Sequence, residues 1–109
     1  MKFSCEKALL SAAVSVTSRA VAVKSSIAAM EGILVEAADQ LKLTGYNLET
    51  GIQATVPAEI GAQGDIVLNA RLFGDIIRRM SDDVVVFTAD DKRDVALEIF
   101  FINIFAARF

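Results

Sequence analysis

Residues 43–58, LTGYNLETGIQATVPA, carry the reading on which the fold turns. Leu41 and Leu43 alternate with Lys42 and Thr44, and after a break Ile52, Ala54 and Val56 alternate with Gln53 and Thr55. Alternation of period two marks strands with one face on a core and the other toward water. Between the runs, Gly45, Asn47 and Gly51 accept positive φ, which predicts a bend or bulge. Pro57 cannot donate to a ladder, so the second strand ends there.

Upstream of this block, Gly32 to Ala37 reads as a strand that forms a hairpin with Leu41 to Tyr46 across Ala38, Asp39 and Gln40. The strand Thr50 to Val56 follows. At the start of the chain, Lys2 to Cys5 predicts a short strand leading into a helix from about Glu6 to Val21. Leu9, Leu10, Ala13, Val14 and Thr17 form its apolar face, and Lys7, Ser11, Ser15 and Ser18 fall on the other side. Small polar residues make that second face thin enough to lie close to something bulky and hydrated. The segment Ala22 to Ser26, which contains Lys24, reads as a loop.

Downstream, Ala58 to Gly64 reads as a loop and Ile66 to Leu68 as a short strand. Asn69 is placed to cap a helix that runs through Met80, with Leu72, Phe73, Ile76, Ile77 and Met80 on its apolar face. Arg71, Asp75 and Arg78 share the polar face at intervals of four and three residues. Ser81, Asp82 and Asp83 turn the chain into a strand at Val84 to Thr88, whose hairpin partner is Val95 to Ile99.

Setting FSCEKALLSAAV (3–14) above IVLNARLFGDII, about 63 residues later, pairs strand with strand and Leu9, Leu10, Ala13, Val14 with Leu72, Phe73, Ile76, Ile77. The chain therefore reads as two pseudo-repeats of strand, helix and strands, about residues 1–60 and 65–109. Antiparallel sheets with both helices on one face make an α+β layer architecture.

At 109 residues there is room for one small domain and a single core. A hydrophobic fraction of 54% and a mean hydropathy of +0.49 exceed what such a domain needs for its interior, which suggests a surface meant for a partner. A net charge of −3 excludes binding of nucleic acid by overall basicity, so any DNA contact must be local. No apolar run reaches the roughly 18 residues of a membrane span, and MKFSCEKALL lacks the layout of a signal peptide, which makes a cytoplasmic location the expectation. Cys5 stands alone, flanked by apolar residues in a strand, and reads as a core residue. With no histidine, no base beside Cys5 in sequence and no glycine-rich phosphate loop, the chain offers little to acid–base or nucleophilic catalysis. Asp82, Asp83, Asp90 and Asp91 sit at turns, where acids serve as solvated turn formers; neither a metal nor a cofactor is expected.

Three blocks in order, MKFSCEKALL, GILVEAADQLKLTGYNLETGIQATVPAEI and GDIVLNARLFGDIIRRM, resemble the amino-terminal domain of the bacterial sliding clamp, the beta subunit of DNA polymerase III. The resemblance runs from Met1 to about Lys92. It implies the DNA-clamp fold and a non-catalytic processivity factor, in which a ring of two subunits with three such domains each encircles duplex DNA and tethers the polymerase. Helices line the hole of that ring and sheets form its outside. Basic side chains of the helices and their loops approach phosphate, and the matching positions here are Lys24, Arg71 and Arg78. Where the family has a proline after the first helix's loop, this chain has Ile27, Ala28 and Ala29.

The last strand of the family's domain lies at the subunit interface, which assigns Phe101, Ile102 and Ile104 to a partner-facing edge. The family's cleft for polymerase and clamp loader lies in later domains. A family domain ends in a hairpin with a glycine or polar turn, whereas Glu98 to Phe109, EIFFINIFAARF, has no turn residue but Asn103. The single domain, 1–109, is therefore expected to be incomplete or altered at its carboxyl end. Without the resemblance, Arg71, Asp75, Arg78 and Arg79 read as a solvated helix face with local ion pairs. A small homo-oligomeric interaction module, or a clamp fragment without DNA binding, remains the alternative.

Overall fold

The computed structural model describes residues 1–21, 32–47 and 49–89 with their side chains, and residues 94–99 and 102–108 as backbone. The chain starts with β1 (Lys2–Glu6) and α1 (Lys7–Ser18). Glu6 is still extended, and after Ser18 the amides of Ala20 and Val21 bond to carbonyls three residues back, Thr17 O and Ser18 O, at 3.1 Å each. That tightened turn ends the helix short of the expected Val21. β2 (Gly32–Ala37) and β3 (Leu41–Tyr46) form the expected hairpin, closed where the Ala38 amide donates to the Gln40 carbonyl at 3.1 Å. β4 (Gly51–Val56) pairs with β3.

The bend between β3 and β4 is made by Asn47, whose Oδ1 accepts the amides of Glu49 (3.1 Å) and Thr50 (2.8 Å). Gly45 is no part of that bend; it lies within β3, opposite Ile33 and Ile52.

Pro57 separates β4 from β5 (Ala58–Ala62), a strand where the sequence predicts a loop. β5 is an exposed edge that pairs with β1, Cys5 opposite Ala58 and Phe3 opposite Ile60, so a partner far away in sequence defines it rather than its own pattern. β6 (Gly64–Asn69) is longer than expected because it pairs with β2 along its whole length, from Gly64 opposite Ala37 to Asn69 opposite Gly32. α2 (Ala70–Arg79) starts on Asn69, whose Oδ1 accepts the Leu72 amide at 3.0 Å. β7 (Val84–Ala89), β8 (Asp94–Ile99) and β9 (Ile102–Arg108) complete the order, with Ile99 opposite Ile102 in an antiparallel pair that the sequence did not predict.

The strands form two sheets, ordered β5–β1–β7–β8–β9 and β4–β3–β2–β6. The first repeat contributes β2, β3 and β4 to one sheet, and the second contributes β7, β8 and β9 to the other. Each repeat's leading strand crosses over: β1 pairs with β7, and β6 pairs with β2. The fold is thus a two-repeat α+β architecture of two antiparallel sheets and two helices.

α1 packs against α2 and against β3 and β4. The buried positions include Leu10, Ala13, Val14 and Thr17 on α1, and Phe73, Ile76 and Ile77 on α2 with Met80 just past its end, the same spacing in both repeats. Leu9 and Leu72, expected on the apolar faces, are 41% and 45% exposed. Each sits about 100° round the helix from a fully buried neighbour, Leu10 or Phe73, so the covered stripe is narrower than the periodicity suggests. Between the layers, Phe3 stacks on its cross-strand partner Phe87 (centroids 4.9 Å apart) and Phe73 meets Phe87 edge-on at 6.1 Å. Pairs of this kind each contribute about 0.5–1.5 kcal/mol beyond the area they bury.

Candidate nucleic-acid interface

The two helices leave a thin outer surface. On α1 the exposed residues include Ala8, Ala12 and Ser15, with Ser11 and Ser18 half-buried beside them. On α2, Arg71, Arg78 and Arg79 are exposed and Asp75 half-buried. The helices come close at Gly74, where an added Cβ would stand 3.4 Å from Val14 Cγ1 and 3.1 Å from Arg78 Nη1. A bulky partner therefore meets small residues on one helix and long cations on the other.

Arg78 is not an unengaged cation, because its Nη2 donates to Asp75 Oδ1 three residues back. The two side chains are 55% and 43% exposed, and a pair this wet adds little to stability. It does hold the guanidinium along the helix. Arg71 makes no ion pair among the described residues. Lys24 lies outside the described residues, so the structure places two of the three expected phosphate-facing cations, both on α2.

The sequence grouped Lys7 with the serines of the thin face, and the structure gives it other partners. Its backbone amide donates to the Asp83 carbonyl at 2.7 Å. Its Nζ donates to the carbonyls of Arg78, at 3.4 Å, and of Met80. Those partners are more than 70 residues away, so no local pattern marks the contact. Lys7 and Arg78 line one cleft together with Ser11, Glu6 and Asp83, and the two carboxylates balance the two cations there. The cleft is therefore not an anion pocket in its own right.

Cys5 is 6% exposed, and burial, with the Glu6 carboxylate next to it, pushes its thiol up to about 12. At neutral pH it is a protonated core residue. Among the described residues no cluster of potential ligands could hold a metal, and Asp90 and Asp91 lie outside them. No helix among the described residues is long and apolar enough to cross a membrane. Of the expected interface residues, Phe101 lies outside the described residues, and Ile102 and Ile104 fall on β9. β9 ends its sheet, with no strand beyond it among the described residues.

Residues 1–99 match the family described as DNA polymerase III beta subunit, N-terminal domain. The chain is 35% identical over 97 residues to the beta sliding clamp of Synechocystis sp., covering 86% of this chain and 25% of that protein. Among solved structures, a putative DNA polymerase III beta subunit from Eubacterium rectale superposes with a TM-score of 0.90 at 31% identity, over 99% of this chain and 30% of that one. The beta subunit from the DNA polymerase of Streptococcus pyogenes gives a TM-score of 0.91 at 27% identity, over the same shares. The chain thus spans between a quarter and a third of the length of these relatives.

Proposed function

Since the chain belongs to the family of the DNA polymerase III beta subunit's amino-terminal domain, we propose that it acts as one domain of a ring-shaped sliding clamp, a non-catalytic processivity factor of cytoplasmic DNA replication. The observation that carries this reading beyond the family is the surface made by α1 and α2: small residues on one helix, Arg71 and Arg78 exposed on the other. Cations that meet phosphate hold a duplex without reading its bases, as sliding demands. With Lys24 they make about three contacts, which gives a log–log salt slope of about 2.7 and feeble binding. Enclosure by the ring, rather than affinity, keeps such a protein on DNA. The acidic balance of the chain, −3, discourages DNA from adhering elsewhere.

The ring would be a dimer of the full-length parent, closed along an edge formed by β9 with Phe101, Ile102 and Ile104. That β9 has no strand beyond it among the described residues supports that assignment, since an unpaired edge is a template for another strand. Polymerase and clamp loader would bind domains that follow this one. Titration of the chain with two unrelated linear duplexes over a range of salt tests the reading. Equal, weak, salt-sensitive binding to both supports it, and sequence-selective or salt-resistant binding rules it out.

A further inference from the structure

Lys7 is misplaced for its own helix. It occupies the first turn of α1, where the helix dipole is positive and a carboxylate would be favourable; the adjacent acid, Glu6, is the N-cap residue and makes no capping hydrogen bond. The placement makes sense only across the repeat boundary. The last carbonyls of α2 lack partners within the helix and carry the partial negative charge of its carboxyl end, equivalent to about half an elementary charge. Lys7 Nζ donates to one of them, that of Arg78, and to the carbonyl of Met80 just past the helix end, and its backbone amide ties in Asp83 at 2.7 Å. In the second repeat the equivalent position is Ala70, so the tie is made to α2 alone, the helix that bears the arginines.

We propose that Lys7 is a positioning residue for the phosphate-facing surface: it holds the last turn of α2, and with it the Arg78 guanidinium, in the orientation that meets the DNA backbone. The role rests on the reading of Arg78 as a phosphate contact. Lys7 also cancels the carbonyl charge that an approaching phosphate would otherwise face beside Arg78, while its own ammonium is spent on those carbonyls.

The test is the salt dependence of duplex binding by the full 109-residue chain, with Arg78→Ala, Lys7→Met, Lys7→Arg and the Lys7→Met/Arg78→Ala double variant. Arg78→Ala removes one phosphate contact and lowers the log–log slope by about 0.9. Lys7→Met lowers it by about 0.9 as well, the double variant by no more than about 0.9, and Lys7→Arg restores it. Two results overturn the proposal: a slope untouched by Lys7→Met, which makes Lys7 structural only, or a fall of about 1.8 in the double variant, which makes it an independent phosphate contact. If Arg78→Ala itself leaves the slope unchanged, the reading of Arg78 is what fails, and Lys7 then has nothing to position. Should Lys7→Met not fold, Lys7→Ala, which likewise removes the donor, takes its place with the same expected slopes.

Discussion

A Cβ built on Gly45 would stand 2.1 Å from the carbonyl oxygen of Thr17. The carboxyl end of α1 lies directly on the backbone of β3 at that point, with Val21 Cγ2 3.2 Å from the same position. Neither the helix carbonyl nor the central strand can yield without disturbing the layer. Gly45→Ala is therefore expected to destabilise the fold by about 1–3 kcal/mol, the usual range for overpacking, read from a urea midpoint. Gly51→Ala is the control: its added carbon would meet Tyr46 Cδ1 at 3.4 Å and the Gly45 carbonyl oxygen at 3.9 Å, ordinary contacts, and its midpoint should barely move.

Replacing both Arg71 and Arg78 with alanine should leave the thermal midpoint within a degree or two of the unchanged chain, because both side chains are exposed and their one ion pair is wet. The salt slope of duplex binding should fall by about 1.8. Loss of folded structure in the double variant would assign the arginines to the scaffold instead.

Asp75 restrains Arg78 and adds a negative charge to the surface proposed to face DNA. Asp75→Asn is expected to raise duplex affinity at low salt and to leave the circular dichroism spectrum unchanged. A fall in affinity would mean that the ion pair orients Arg78 for phosphate rather than competing with it.

The Cys5 thiol should resist alkylation at pH 8 in the folded chain and react at once in denaturant. Burial, and secondarily the Glu6 carboxylate, pushes its pKa up from the ordinary 9.0 to about 12 in the folded chain. The unfolded chain therefore releases this proton first as pH rises. The contribution of Cys5 to stability is complete below about pH 9 and is lost progressively as pH climbs toward 12. Urea midpoints of the unchanged chain and of Cys5→Ala, compared at pH 7 and pH 10.5, check this: the unchanged chain should lose more between the two.

Removing the Asn69 side chain with Asn69→Ala leaves the Leu72 amide without its cap and should cost about 1 kcal/mol, measurable as a lowered midpoint with α2 otherwise intact.

Much of this was legible in the residues themselves. The hairpin of β2 and β3 matches its expected bounds because alternation, a polar turn and Ala37 opposite Leu41 all agree. Asn69 announced α2 by the chemistry of its side chain. What escaped were features defined by partners far away in the chain. AEIGA carries no strand pattern and becomes β5 only because β1 lies beside it. Leu9 and Leu72 obey helical periodicity, yet the width of the covered stripe depends on how the helices meet the layers below. The same holds at the site: Asp75 and Arg78 are three apart and their pairing could be read directly, whereas Lys7 reaches carbonyls beyond any sequence window.

The crossing of the leading strands makes the two halves depend on each other for folding. β1 sits in the sheet of β7 and β6 in that of β2, so cutting between β5 and β6 leaves β1 with β5 alone and β6 without its partner. Each half thus depends on the other to complete its sheet. Two halves cut in the connection between β5 and β6 and produced as separate polypeptides should be unstructured alone and recombine when mixed.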